Sequence, residues 1–156
     1  MSYLNSKFDI VSVDNPVAIA SLAQVLPVDN PPPLGVNGTP QAGTIPPGAI
    51  VVMNTSGKAV LGSTGAVPQL VFVTVDGNTD FSGAFVQKLT CLHGGVTIKT
   101  DQFVAGAFLP GLAVSFNLGK IKLAAAGEQI IGFVGPGGLD SVEGALEVIL
   151  PQGAGF

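Results

Sequence analysis

Followed for its apolar and polar positions, the chain breaks into short runs of strand length. Phe8–Val13 alternates. Ala49–Met53, Leu70–Val75, Phe85–Leu92, Val96–Thr100, Ala113–Phe116, Ile130–Val134 and Leu146–Leu150 are alternating or continuously apolar, and rich in Val, Ile, Phe and Thr. Alternation marks a strand with one wet face, and a continuous apolar run of this length marks one buried on both. The 22 Gly and 12 Pro are spread along the sequence and leave little room for long helices. The pattern predicts an all-β protein, sandwich or barrel.

The first 46 residues read differently. Val17–Leu26 is apolar without a clear period, and Asn30-Pro31-Pro32-Pro33 forces an extended passage, because each Pro fixes φ and removes a donor. Residues 1–46 are therefore expected to be an extended, Pro-rich N-terminal arm that contacts a partner. Residues 47–156 are expected to be the β-domain.

Two stretches of that domain match in order. Pro47-Gly48 opens a run to Asn54, followed by Gly57-Lys58, Gly65, Gln69-Leu70-Val71, Asp80 and Gly83-Ala84-Phe85. Pro110-Gly111 opens a run to Asn117, followed by Gly119-Lys120, Gly127, Gln129-Ile130-Ile131, Asp140 and Gly144-Ala145-Leu146. The spacing is 63 at the first Gly (48 to 111), 62 at the Lys (58 to 120), 60 at the Gln (69 to 129) and 61 at the last Gly (83 to 144). Small changes in spacing fall at turns, where insertions are tolerated. The expectation is a compact β-barrel or β-clip-like domain of two similar half-units, about residues 47–90 and 110–151, with Cys91–Phe108 bridging them.

Composition adds a constraint on the surface. Hydrophobic residues make up 47% of the 156 and charged ones 10%, against roughly 25% in an ordinary soluble domain. So few charges cannot coat a free globule in the usual way, which points to a surface covered by other subunits. All six basic residues are Lys and the net charge is −4, which argues against nucleic-acid recognition by bidentate Arg and basic patches. Val17–Leu26 is too short to span a bilayer and lacks the positive flank of a signal peptide, so no membrane partner is expected.

Candidate chemistry is thin. Cys91 and His93 are two apart, so on a strand they share a side, as a nucleophile and base would. No second His completes a triad, and one Cys with one His makes no zinc site. Asp76-Gly77-Asn78-Thr79-Asp80 has the alternating oxygens of a calcium loop's opening. Phe81 and Gln87 then stand where Gly and Glu are needed, so an Asp-Gly turn is the better account. Gly135-Pro136-Gly137-Gly138 lacks the following Lys-Ser/Thr of a phosphate cradle. Asn37-Gly38-Thr39 and Asn54-Thr55-Ser56 match glycosylation sequons, which matter only after secretion. Glu128, Glu143 and Glu147 could supply acid–base pairs, but charges beside turns are usually solvated. No catalytic residue, cofactor or metal is expected, and the chain reads as a non-enzyme.

The sequence Pro110-Gly111 … Gly119-Lys120 … Ile130-Ile131-Gly132-Phe133-Val134, with its looser first copy from Pro47, resembles the capsid decoration (cement, head-stabilising) proteins of tailed bacteriophages. The likeness covers roughly residues 45–151 and rests on turns and hydrophobics. It implies a compact β-domain, commonly a homotrimer, that binds the outer surface of the virion's capsid and clamps neighbouring major capsid subunits, after synthesis in the host cytoplasm. It also implies an N-terminal arm that completes a strand on the shell. The arm residues expected at that contact are Tyr3, Leu4, Phe8, Ile10 and Val13. A tail, fibre or baseplate component and a small-ligand-binding β-barrel are the alternatives, separated by copy number and by the presence of a cleft with perturbed titratable groups.

Overall fold

The computed structural model of the chain describes residues 7–13, 23–28, 45–63, 69–77 and 88–151. These form eleven strands and no helix: β1 (Phe8–Val13), β2 (Ala23–Pro27), β3 (Ile50–Met53), β4 (Ala59–Leu61), β5 (Val71–Thr74), β6 (Lys88–Leu92), β7 (Val96–Thr100), β8 (Ala113–Asn117), β9 (Lys120–Leu123), β10 (Gly132–Asp140) and β11 (Ala145–Leu150). They assemble into two antiparallel sheets, in the orders β1-β7-β11-β10-β8-β9 and β2-β6-β5-β3-β4.

Without β1, the two orders are the same motif. β2 to β6 form a first half and β7 to β11 a second, and the register agrees strand by strand. Val51 faces Leu61 on one side and Phe72 on the other, and Val114 faces Leu123 and Gly132. Gln24 lies opposite Cys91 as Ile98 lies opposite Val148. The Pro-Gly turns match as well. Ala49 N–H donates to Pro46 O and Leu112 N–H to Leu109 O, with φ of +77° at Gly48 and +88° at Gly111, the type II geometry that wants Pro then Gly. Val96–Thr100, expected to bridge the halves, is instead the first strand of the second half.

Each half curls until a parallel bridge joins the chain after its first strand to its last strand: Val28, after β2, to Ala59 in β4, and Phe103, after β7, to Ile121 in β9. Neither forms a ladder there, so neither closes into the expected barrel. The five-stranded sheet wraps one apolar cluster that takes residues from all its strands: Leu26, Val51, Ala59, Phe72, Leu89 and Cys91. Its opposite face, with Ile50, Val52, Val71, Val73 and Leu92, joins the larger cluster of the second half around Phe116, Ile98, Leu146 and Val148. β3 and β5 are thus buried on both faces, which is why they read as unbroken apolar runs. β7 alternates buried and half-buried residues, with one face inward and one toward water.

The described part of residues 1–46 is not a separate arm. β1 adds an edge strand to β7, β2 pairs with β6, and Ile45 is buried in the first-half core. An exposed strand edge is a template for any alternating segment, and β7 recruits one from its own chain. The Pro-rich passage 29–44 lies outside the described residues.

Candidate interaction surfaces

Phe8, Ile10 and Val13 lie across from Thr100, Ile98 and Val96, all three of which face the core. In strict alternation Val13 would point away from Phe8. A register shift between Ile10 and Ser12 returns it to the inner side. Phe8 and Val13 pack against the larger core cluster, while Ile10 stays 36% exposed. These three expected partner contacts therefore serve the chain's own sheet, and Tyr3 and Leu4 lie outside the described residues.

The outer face of the six-stranded sheet gathers charge. Lys99 on β7 sits in register between Asp9 on β1 and Glu147 on β11. Lys99 Nζ lies 3.9 Å from Glu143 Oε2, Lys7 Nζ donates to the Glu143 carbonyl, and Lys7 N–H donates to Asp101 Oδ2 at 3.1 Å. A cleft of about 370 Å³ is lined by Lys7, Phe8, Asp9, Lys99, Glu143 and Ala145. Nearby, Asp140 accepts from the backbone N–H of Val142 and Glu143. The N–H of Glu143, then that of Val142, hold the Asp140 carboxyl below its usual range, with Lys99 and Lys7 adding to the effect.

The three glutamates do not converge. Glu128 pairs with Lys122 Nζ at 2.6 Å and accepts from Ala125 N–H at 2.8 Å, and these contacts lower its pKa, the Lys122 bond first. Glu147 is the one sequence reasoning misjudged, since it is only 8% exposed. Its carboxylate accepts from Gly137 N–H at 2.6 Å, beneath a bulge of β10 that carries residues 135–138 past a two-residue step of β11. A Cβ at Gly135 would lie 2.5 Å from Glu147 Oε2. The glycine run lays backbone over a carboxylate. The available signal was glycine inside a strand, which marks a bulge or a close approach.

Cys91 and His93 also separate by environment. Cys91 is wholly buried in the first-half core, its thiol 3.8 Å from Leu89 O. Burial, and secondarily the charge of Asp76, pushes it up to about 12, so at neutral pH it is a protonated thiol rather than a nucleophile. His93 lies just past β6 with its ring edge-on to Phe72, centroids 5.3 Å apart, and desolvation lowers its pKa. Asp76 Oδ1 accepts from Thr90 N–H at 2.8 Å, so this carboxylate ties the β5 end to β6. Asn78 to Asp80 lie outside the described residues. Among the described residues no group of three or more His, Cys, Asp or Glu is placed to hold a metal.

Among the described residues, which cover all of the second half and only part of the first, most exposed large hydrophobics lie in the second half. Of the exposed large hydrophobics, Val104, Leu109, Leu112, Leu118, Ile130, Phe133, Leu139 and Val142 belong there, against Val25 in the first half and Ile10 and Val11 on β1. The described residues form an all-β, internally duplicated two-sheet module with a charged outer patch and exposed apolar side chains on its second half. No family model, curated protein or solved structure matches the chain.

Proposed function

We propose that this protein is a structural virion component, a decoration protein that binds the outside of a tailed-phage capsid and cements neighbouring major capsid subunits. The observation that carries the reading is the unbalanced surface: large apolar side chains stand exposed across the second half of a chain with only sixteen formally charged residues, six basic and ten acidic. Exposed apolar side chains in such number, with so few charges, suit an association surface. Burying them against a repeated lattice stabilises by roughly 25 cal/mol per Å², multiplied over many copies. A clip-like use of the two curled sheets, self-association as a homotrimer and a location on the capsid's outer surface belong to the same proposal. The duplicated scaffold supplies rigidity for such a role and requires no chemistry.

The test is made on purified particles that carry the chain. Mass spectrometry should count hundreds of copies per particle, and particles stripped of it should lose resistance to heat or chelator. A handful of copies would instead favour a tail or baseplate part. Stripped particles as robust as intact ones would overturn the cementing role.

A further inference from the structure

The junction between the two halves is not symmetric. From the first half, Ile50 N–H donates to Gly119 O at 2.8 Å and Gly119 N–H returns a bond to Gly62 O at 2.9 Å. Leu61 fills the space beside Gly119, Gly62 abuts the Phe116 ring, and Thr100 Oγ1 donates to Gly48 O at 3.0 Å. The first half thus offers the surface around Gly48, Ile50, Leu61, Gly62 and Val73. The second half receives it at Thr100, Phe116 and Gly119.

The repeat assigns these positions counterparts; that of Thr100 is Leu26, buried in the first-half core, while several of the others lack the neighbour seen at the junction. For the offered surface they are Gly111, Ala113, Leu123, Ala124 and Phe133, and for the receiving turn they are Met53 and Gly57. Among the described residues nothing lies within 4 Å of a Cβ placed at Gly111 or Gly57, whereas Gly48 and Gly119 are crowded. Phe133 is 42% exposed where its counterpart Val73 is 1%, and Leu112 is 41% exposed where Ala49 is 1%. Ser115 and Ile131, counterparts of Val52 and Val71, are already covered within the chain, so the free surface comprises Leu112, Ala113, Phe133 and half-buried Ile149.

We propose that copies of this chain join head to tail, the Leu112–Phe133–Ile149 face of one second half docking on the β3–β4 turn and Met53 of the next copy's first half. The contact reproduces between chains the junction already made within one. A heterologous contact of this kind uses two different surfaces, so each copy has one of each to offer, and the series closes into a ring if the rotation permits. The occupant is a second copy because the counterpart of the receiving turn, exposed at Thr55 and Ser56 beside half-buried Met53 and Gly57, is present on the same molecule. The inference goes beyond capsid binding and does not depend on it, since the association needs no shell.

The test uses the full chain alone, carrying single cysteines at exposed Ser56 and half-buried Ala124, counterparts of Leu118 and Gly62. Native Cys91 is buried and contributes no background. Ser56→Cys mixed with Ala124→Cys should form a cross-linked dimer with a short bis-maleimide, and neither variant alone should do so. Phe133→Lys should weaken self-association at least tenfold in sedimentation, while Val142→Lys, at another exposed position, leaves it unchanged. A protein that sediments as a monomer at every concentration, a Ser56→Cys variant that links to itself, or a Phe133→Lys variant that associates normally would each overturn the proposal. Shell binding is read separately on particles; a chain that stays monomeric would remove the head-to-tail contact and the homotrimer but leave shell binding to its own test.

Discussion

Gln129 reaches across the chain to the residue that holds its own place in the first half: its Oε1 accepts from Gln69 N–H at 2.9 Å and its Nε2 donates to Gln69 O at 2.9 Å. One side chain thus satisfies both backbone groups of its counterpart. The exchange is one-sided, because the Gln69 side chain turns to Ser63 O instead. Gln129→Ala should cost about 1–3 kcal/mol, leaving two half-buried backbone groups without this partner. Gln69→Ala should stay within about 0.5 kcal/mol. Urea unfolding of the two variants checks the asymmetry.

The Pro-Gly turns offer a second internal control. Both glycines sit at positive φ, so alanine at either carries the left-handed penalty of roughly 1–2 kcal/mol. At Gly48 the new Cβ would also overlap Thr100 Oγ1 and lie 2.8 Å from the Phe8 ring, while at Gly111 it meets open space. Gly48→Ala should therefore lower the unfolding midpoint clearly more than Gly111→Ala. Equal losses would mean that β1 and Thr100 do not pack on this turn.

Ser115 is fully buried, and its hydroxyl has no hydrogen-bond partner among the described residues. Its counterpart in the first half is Val52. Removing an orphaned buried hydroxyl spares its desolvation cost of about 1–3 kcal/mol, less what is lost in packing. Ser115→Ala should leave stability unchanged or raise it by about 1 kcal/mol, measured by denaturant titration.

Gly135 and Glu147 should show coupling. Alanine at Gly135 forces the buried carboxylate aside and should destabilise by about 1–3 kcal/mol, as overpacking does. In a Glu147→Ala background the same substitution should cost much less. A double-mutant cycle with no interaction energy would show that the bulge does not rest on this side chain.

Alkaline stability should report Cys91. Its folded pKa is raised from 9.0 to about 12, so the unfolded chain releases the proton first. The stabilisation is complete below pH 9.0 and is lost as pH rises through that window. Cys91→Ala should abolish this part of the slope. His93, Glu128 and Asp140 have the opposite sign: their folded pKa values are lowered, so stability present above the unfolded values falls away as pH drops.

The absence of helix from the described residues, most of the strands, the Pro-Gly turns and the repeat could all be read from local pattern. Alternation, Gly and Pro placement and ordered matches are properties of neighbouring residues, and strands such as β3, β7 and β11 fall within a residue or two of where the pattern puts them. Decisions between distant segments were not available that way. β1 pairs with β7, a relation across some ninety positions (Phe8 to Thr100). Glu147 reads as one more solvated acid until the β10 bulge is folded over it. The low charge content was legible as composition, but which apolar side chains stay exposed, Leu112 and Phe133 among them, was decided when one half packed against the other. That junction buries Ala49 and Val73 and leaves their counterparts Leu112 and Phe133 exposed, which no run of residues can reveal before the two copies are set side by side.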